Sequence, residues 1–299
     1  MERHALLAGH TGARYGARSP HTACDSHNWA VSRACALLLS KPRFPIAACA
    51  LNYFSNYLCF ALALCPDRDM LLITETNLTG NANMLIKDAI AIAGPLGYPS
   101  KMPGTSYGIS AKACITGAKL NLVEGSTCHG CYALKGNYIY PSVKMAHEKR
   151  IAGIAHEQWV NAMVVLLKAA HKPRKVGLPL SAHHRWHDSG DLQSETHLAR
   201  ICEVAAQTPE LSHWLPTREI GILSRFIKNG GKVPANLTIR VSATMVDGAA
   251  TKAWPITSTV HQHETARGHV CPAPEQDNNC GACRACWSQD IPNVSYHKH

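Results

Sequence analysis

With 299 residues, 46% of them apolar and 17% charged, the chain has the composition of a folded protein and is long enough to bury a core without covalent staples. Its net charge of +10 is scattered, with no run of five or more Lys or Arg, which excludes a dedicated nucleic-acid tail and leaves only a weak, non-specific attraction to nucleic acid. Thirteen cysteines, the downstream ones in x2 spacings, exclude a small secreted disulfide scaffold and point to metal in a reducing cytoplasm.

Residues 1–83 read differently from the rest. Cys24, Cys35, Cys49, Cys59 and Cys65 lie here without ligand-like spacing. Phe44 to Leu64 carries no charge, with Lys41 and Arg43 before it and Asp67 and Asp69 after, a length and flanking pattern that fit a bilayer span. Pro45, Asn52, Ser55 and Asn56 inside it argue the other way. Three readings stand: translation starting at Met70 or Met84, a membrane segment at 44–64, or a poorly ordered extension. Without that segment nothing in the chain calls for a membrane.

Residues 84–299 read as one α/β domain. A short amphipathic helix at 84–93 ends at Gly94-Pro95, and 95–112 is Pro-, Gly-, Ser- and Tyr-rich and irregular. Pro141 suits the first turn of a long helix over 142–171, which Pro173 stops. Strands are expected at 183–188, 212–217, 236–243 and 256–261, with helices at 194–207 and 218–229 between them, the latter capped by Thr217. Strands alternating with helices mean parallel βα units, arranged as a partial barrel or an open sheet with Cys-rich metal-binding loops.

The cysteines fall into two groups. Cys114 precedes Gly125-Ser-Thr-Cys128-His-Gly-Cys131-Tyr132, a tight turn whose two sulfurs face one metal. The tail reads Cys271-Pro-x7-Cys280-x2-Cys283-x2-Cys286-Trp287, a run like that of ferredoxin-type [4Fe–4S] sites, with the remote Cys-Pro before the run instead of after it. Zinc is the competitor, because four thiolates also close a structural zinc site. Three upstream thiolates can hold a [4Fe–4S] cluster with one iron left open, or take a fourth ligand from His129 or the tail. Two sites, one open and one closed, compete with a single shared site. Cys202 reads instead as a buried apolar residue of a helix.

Polar residues collect where the strands end. His187, Asp188, Ser189, Gly190 and Asp191 follow the first of them, Thr217 and Arg218 the second, Ser242 and Thr244 the third and His261 the fourth. Ligands gather at that edge in open parallel sheets and barrels. His187, Asp188 and Arg218 are therefore the candidate catalytic or substrate-contacting residues. For Asp191 a helix-capping role competes, and for Gly190 a turn. His261-Gln-His263-Glu264 reads as a solvated loop before a chelate. Phosphate-cradling Gly-Lys-Ser/Thr, GxSxG and HExxH motifs are absent.

The run GSTCHGCYALKGNY, then RWHDSGDLQS, HWLPTRE and CGACRACW, resembles the phage gene product 88 family over about residues 84–299. The resemblance implies a protein of a bacteriophage or prophage, acting in the bacterial cytoplasm, and implies no reaction. More distantly, a cysteine turn ending in Cys-Tyr and followed by βα units with a Ser-Gly-Asp strand end looks like a radical S-adenosylmethionine barrel. That likeness implies an open cluster on Cys114, Cys128 and Cys131, with S-adenosylmethionine near Ser189, Gly190, Asp191 and Ser242; the wide gap between Cys114 and Cys128 departs from it. Two functions follow: an iron–sulfur enzyme acting on an unnamed substrate, or a zinc-stapled, non-catalytic module that binds nucleic acid or a host protein.

Overall fold

Seven strands, β1 (Thr105–Tyr107), β2 (His183–Trp186), β3 (Ser212–Thr217), β4 (Leu237–Val246), β5 (Thr257–His261), β6 (His269–Val270) and β7 (Asn293–His297), form one sheet in the order β1-β2-β3-β4-β5-β7-β6. Every strand pairing in it is parallel, and the sheet stays open, with β1 and β6 at its edges. The computed structural model describes residues 84–172 and 181–298, all within one compact unit, Asp69–His299. The expectations for residues 1–83, for the uncharged segment 44–64 and for Pro173 lie outside the described residues. Among the described residues no helix is long and apolar enough to cross a membrane.

Among the described residues six α-helices accompany the sheet: α1 (Ile86–Ala93), α2 (Thr116–Leu120), α3 (Pro141–Gly153), α4 (Trp159–Ala170), α5 (Glu195–Ala206) and α6 (Ile220–Lys228). Side chains alternate across each strand, so the two faces of the sheet can be told apart. Tyr107, Trp186, Leu215, Leu237, Ile239 and Val241 point to one face, where they join Ala89 and Ala93 of α1, Trp159 and Met163 of α4, Leu198 and Ile201 of α5 and Leu223 of α6 in a single core. Arg185, Trp214, Thr238, Arg240 and Ser242 point to the opposite face. There the chain's own tail covers them. Trp287 packs on Trp214 with ring centroids 5.1 Å apart, and its Nε1 donates to the carbonyl of His184 at 3.0 Å.

Four expectations need correction. The irregular stretch 95–112 contains β1, only three residues long, which pairs with β2 through Thr105, Ser106 and Tyr107. The single helix expected over 142–171 is two: α3 ends at Gly153, where any β-carbon would run into the carbonyl of Ile92, and α4 starts again at Trp159. Thr217 is the last residue of β3 and not a cap; Glu219 occupies the cap position of α6 without a side-chain capping bond. The cysteine tail continues into β7, which inserts between β5 and β6. The remaining strands and α5 stand where periodicity places them, and Ser194 caps α5 by accepting from the His197 N–H at 3.0 Å.

Candidate functional site

Everything expected to carry chemistry in the first half of the domain sits at the ends of β1 to β4. The chain leaves β1 through Gly108, turns at Ser110, and delivers Cys114 just ahead of α2. The carboxylate of Glu219, after β3, fastens that delivery: it accepts from the Thr116 N–H at 2.7 Å and from the Thr116 hydroxyl at 2.9 Å. The Cys128 turn is fastened to the end of β4, where the register with β5 shifts between Ser242 and Val246. Ser126 bridges Met245 antiparallel, the Thr127 N–H donates to the carbonyl of Thr244 at 2.9 Å and the Val246 N–H to that of Gly125 at 2.9 Å. Two turns of the connection between β1 and β2, one on each side of α2, are thus held by groups that follow β3 and end β4.

Gly117 marks where they meet. A β-carbon there would stand 3.5 Å from the sulfur of Cys114 and 3.6 Å from that of Cys128. Cys131 follows one tight turn later, its N–H bonded to the carbonyl of Cys128 at 3.1 Å. Burial pushes the Cys114 thiol up to about 12, and the charges of Asp191, Cys128 and Cys131 add to that while Arg218 opposes it. Burial likewise raises Cys128, with Arg218 again opposing. Arg218 is placed for this: its Nε and Nη2 donate to the Thr127 hydroxyl at 3.1 and 2.9 Å, next to Cys128 in the chain.

The Ser189-Gly190-Asp191 segment is taken up in holding the same loops. Ser189 donates to the carbonyl of Ile109 at 2.7 Å, and Gly190, at φ 79°, lies so close to Ile109 that no β-carbon fits. Asp191 is buried and accepts from the Leu192 N–H at 2.7 Å, the Thr217 hydroxyl at 2.6 Å and the Arg218 N–H at 2.8 Å. Burial pushes its carboxyl up to about 6 against the pull of those donors. His187 departs from its expected place at the rim. Its ring is buried 5.3 Å from that of His197 on α5, and neither ring nitrogen has a partner. Asp188 does reach the edge: Tyr132 donates to its carbonyl at 2.8 Å, and its Oδ1 is buried without a partner beside Gly108. Ser242 faces the side the tail covers, bonded to the Ser258 hydroxyl at 3.1 Å.

The tail cysteines form a second group. Cys271 is tied to β7 by its N–H to the carbonyl of Ser295 at 2.9 Å, and Cys280 by its N–H to the carbonyl of Lys101 at 3.0 Å. The Cys283 sulfur lies 3.5 Å from His269 Nε2, and that of Cys286 3.1 Å from the Tyr296 hydroxyl. Burial raises Cys271, Cys280 and Cys286, the last to about 11. The strongest influences of one thiol on another stay within each group: Cys114 with Cys128 and Cys131, and Cys271 with Cys280, Cys283 and Cys286. Among the described residues no three His, Cys, Asp or Glu side chains are drawn tight enough to grip a single metal ion.

Arg240 holds this tail down. It is fully buried in the middle of β4, and its two terminal nitrogens donate to the carbonyls of Thr257, Ile291, Ala285 and Ser288 at 2.8 to 3.0 Å. The roles of Arg240, Glu219, Thr127 and His269 are not readable from spacing. A charged residue at the centre of the alternating strand NLTIRVSA is the one visible hint, since such a position is otherwise apolar or neutral. No curated protein and no solved structure matches the chain. A family model described as gene product 88 matches residues 76–289, so the chain belongs to the gene product 88 family, the phage family that its motifs resemble.

Proposed function

We propose that this is an iron–sulfur protein whose reactive centre is held by Cys114, Cys128 and Cys131, with a second, structural centre on Cys271, Cys280, Cys283 and Cys286. The observation that carries the reading is the meeting of Cys114 and Cys128 at Gly117, brought about by two loops that Glu219 and β4 hold in place. The donor set fits a cluster. It is all sulfur, and the thiolates would raise one another with Arg218 and, at Cys128, a hydrogen bond from Thr127 to offset them, so a bound cationic iron core would supply the remaining positive charge. Asp191, the nearby carboxylate, is committed to three donors and adds no fourth ligand, which leaves a position open.

A cluster with an open iron supplies electrons and a coordination site, and by distant likeness that site would take S-adenosylmethionine. This chain's own residues would then do three things. Arg218 offsets thiolate charge, Ser189 and Gly190 keep the Cys114 loop in register, and Asp188 presents an unpaired oxygen at the edge. The tail favours a rival in one respect. His269 beside Cys283 is the nitrogen-and-sulfur pairing of structural zinc sites, and a zinc-stapled module without catalysis follows from it.

Anaerobic purification of the full chain, with metal analysis and an absorption spectrum, decides between them. About four irons per filled centre with a broad visible charge-transfer band is expected. A colourless protein carrying stoichiometric zinc overturns the iron–sulfur reading.

A further inference from the structure

Arg185 is the last residue of β2 on the tail-covered face, and its charge is felt by Cys280 and Cys286 of the tail as it is by Tyr132 next to Cys131. Its guanidinium stacks on Trp214, 4.6 Å from the ring centroid, and its Nε is buried without a hydrogen-bond partner. Among the described residues the single ion pair is Arg225 with Glu195, so no carboxylate pairs with Arg185. Burial opposes its charge, while Tyr132, Asp188, Tyr296 and Tyr138 favour it. Asp188 is the one acid among these neighbours, and its charge acts on Arg150 and His147 as well. Arg150 already spends its guanidinium on the carbonyls of Pro95 and Gly108 at 2.9 Å. One carboxylate thus faces two half-buried or buried guanidinium groups, and the local set is short of negative charge.

A planar guanidinium fork kept half-buried and unpaired is costly unless something anionic completes it. The tail thiolates are one source, and Arg185 lowers Cys280 and Cys286 behind stronger neighbours; after burial, the leading influences on Arg185 itself are Tyr132 and Asp188, on the Cys131 side. Tyr132 itself follows Cys131 directly and is 53% exposed, and Arg185 is half-buried. We propose that Arg185 anchors an oxyanion group, phosphate or carboxylate, of the substrate on which the Cys114–Cys128–Cys131 centre acts. The inference rests on that centre being the reactive one.

The stacked Trp214 makes the site its own reporter. Inorganic phosphate and, separately, acetate are titrated into the full chain at constant ionic strength while tryptophan fluorescence is followed, with Trp214→Phe identifying the reporting ring. A saturable change is expected with one of the two anions, which names the oxyanion. Arg185→Gln should weaken that binding about ten- to a hundredfold, the cost of removing one charged hydrogen-bonding partner. Arg185→Lys, which keeps the charge and loses the fork, should bind several-fold more weakly and covers the case in which Arg185→Gln does not fold. Equal binding by wild type and either variant, or no saturable response to either anion, overturns the proposal. So does loss of tail metal in Arg185→Gln, which would make Arg185 a counter-charge of the thiolates. Metal content is measured on the same samples. Zinc in place of iron sinks the proposed centre while leaving an Arg185-dependent anion site standing, and the reverse result sinks only the anion site.

Discussion

The Cys114 and Cys128 sulfurs both approach Gly117 from either side of α2 in the connection between β1 and β2, and Cys283 belongs to a separate group in the tail. Removing one sulfur from each group is therefore an experiment about number. If the groups hold separate centres, Cys128→Ala should lose the metal of the first and keep that of the tail, and Cys283→Ala should do the converse. Each single variant then retains about half the metal of the wild type, because a [4Fe–4S] cluster depends on its own thiolates. Metal analysis of the two variants and of the double variant checks this. Complete loss in either single variant would mean one shared site. The cysteines themselves are legible in the sequence, since x2 spacing is a short-range signal. Their division into two groups is read from the same spacing; the contacts that hold the first group are not, because Glu219 reaching back to Thr116 and Thr127 zipped to Thr244 are contacts across about a hundred residues, and nothing local announces them.

At the level of elements, legibility followed periodicity. β3 stands where expected, β4 follows the alternating run 236–243 and continues to Val246, and α5 has its Ser194 cap in plain view. β1 has only three residues, too few for a period to show, and it becomes a strand because β2 offers it a partner. The break between α3 and α4 is invisible for the opposite reason. Apolar spacing continues through it, while Gly153 has to press its backbone onto that of Ile92. The tail belongs with these cases: its strands and turns are held by a side chain in another element. Arg240 binds four carbonyls of residues 257–291, so Arg240→Met would leave those acceptors short while removing the charge. A loss of about 2–4 kcal/mol is expected from denaturant unfolding, with the tail opening first. A change under about 0.5 kcal/mol would show that other contacts hold the tail.

Across the whole molecule, the helix-side core is unusual in enclosing histidines. His184, His187, His197 and His213 are all buried, and His184 Nε2, both nitrogens of His187, His197 Nε2 and His213 Nδ1 have no partner. The bonds that do form run from His184 to the Thr105 hydroxyl at 2.8 Å, from His213 to the Thr208 hydroxyl at 2.9 Å and from the Gln193 N–H to His197 Nδ1 at 3.3 Å, and none involves a carboxylate. Burial holds all four neutral and pushes them down, His197 and His213 to about 3 and the other two well below the usual histidine range, with neighbouring cations adding to the effect. A folded-state value below the unfolded one, about 6.5, means the unfolded chain binds the extra protons. The stability these residues contribute is full above about pH 6.5 and is lost as pH falls toward 3. Asp191 works in the opposite sense: raised to about 6 when folded, it takes up a proton on folding between about pH 6 and 4 and offsets one histidine. For these five groups the net is about three protons, and His147, His171 and His183, also lowered by burial, act in the same sense, so between pH 6 and 5 stability should fall by about 4 kcal/mol per pH unit or more. Unfolding measured at a series of pH values checks the slope. His197→Phe, which keeps an aromatic ring against Trp159, should flatten it by about one proton; any acid loss of bound metal is common to both proteins and cancels in the comparison. Equal slopes in variant and wild type would show that His197 is already charged in the folded core.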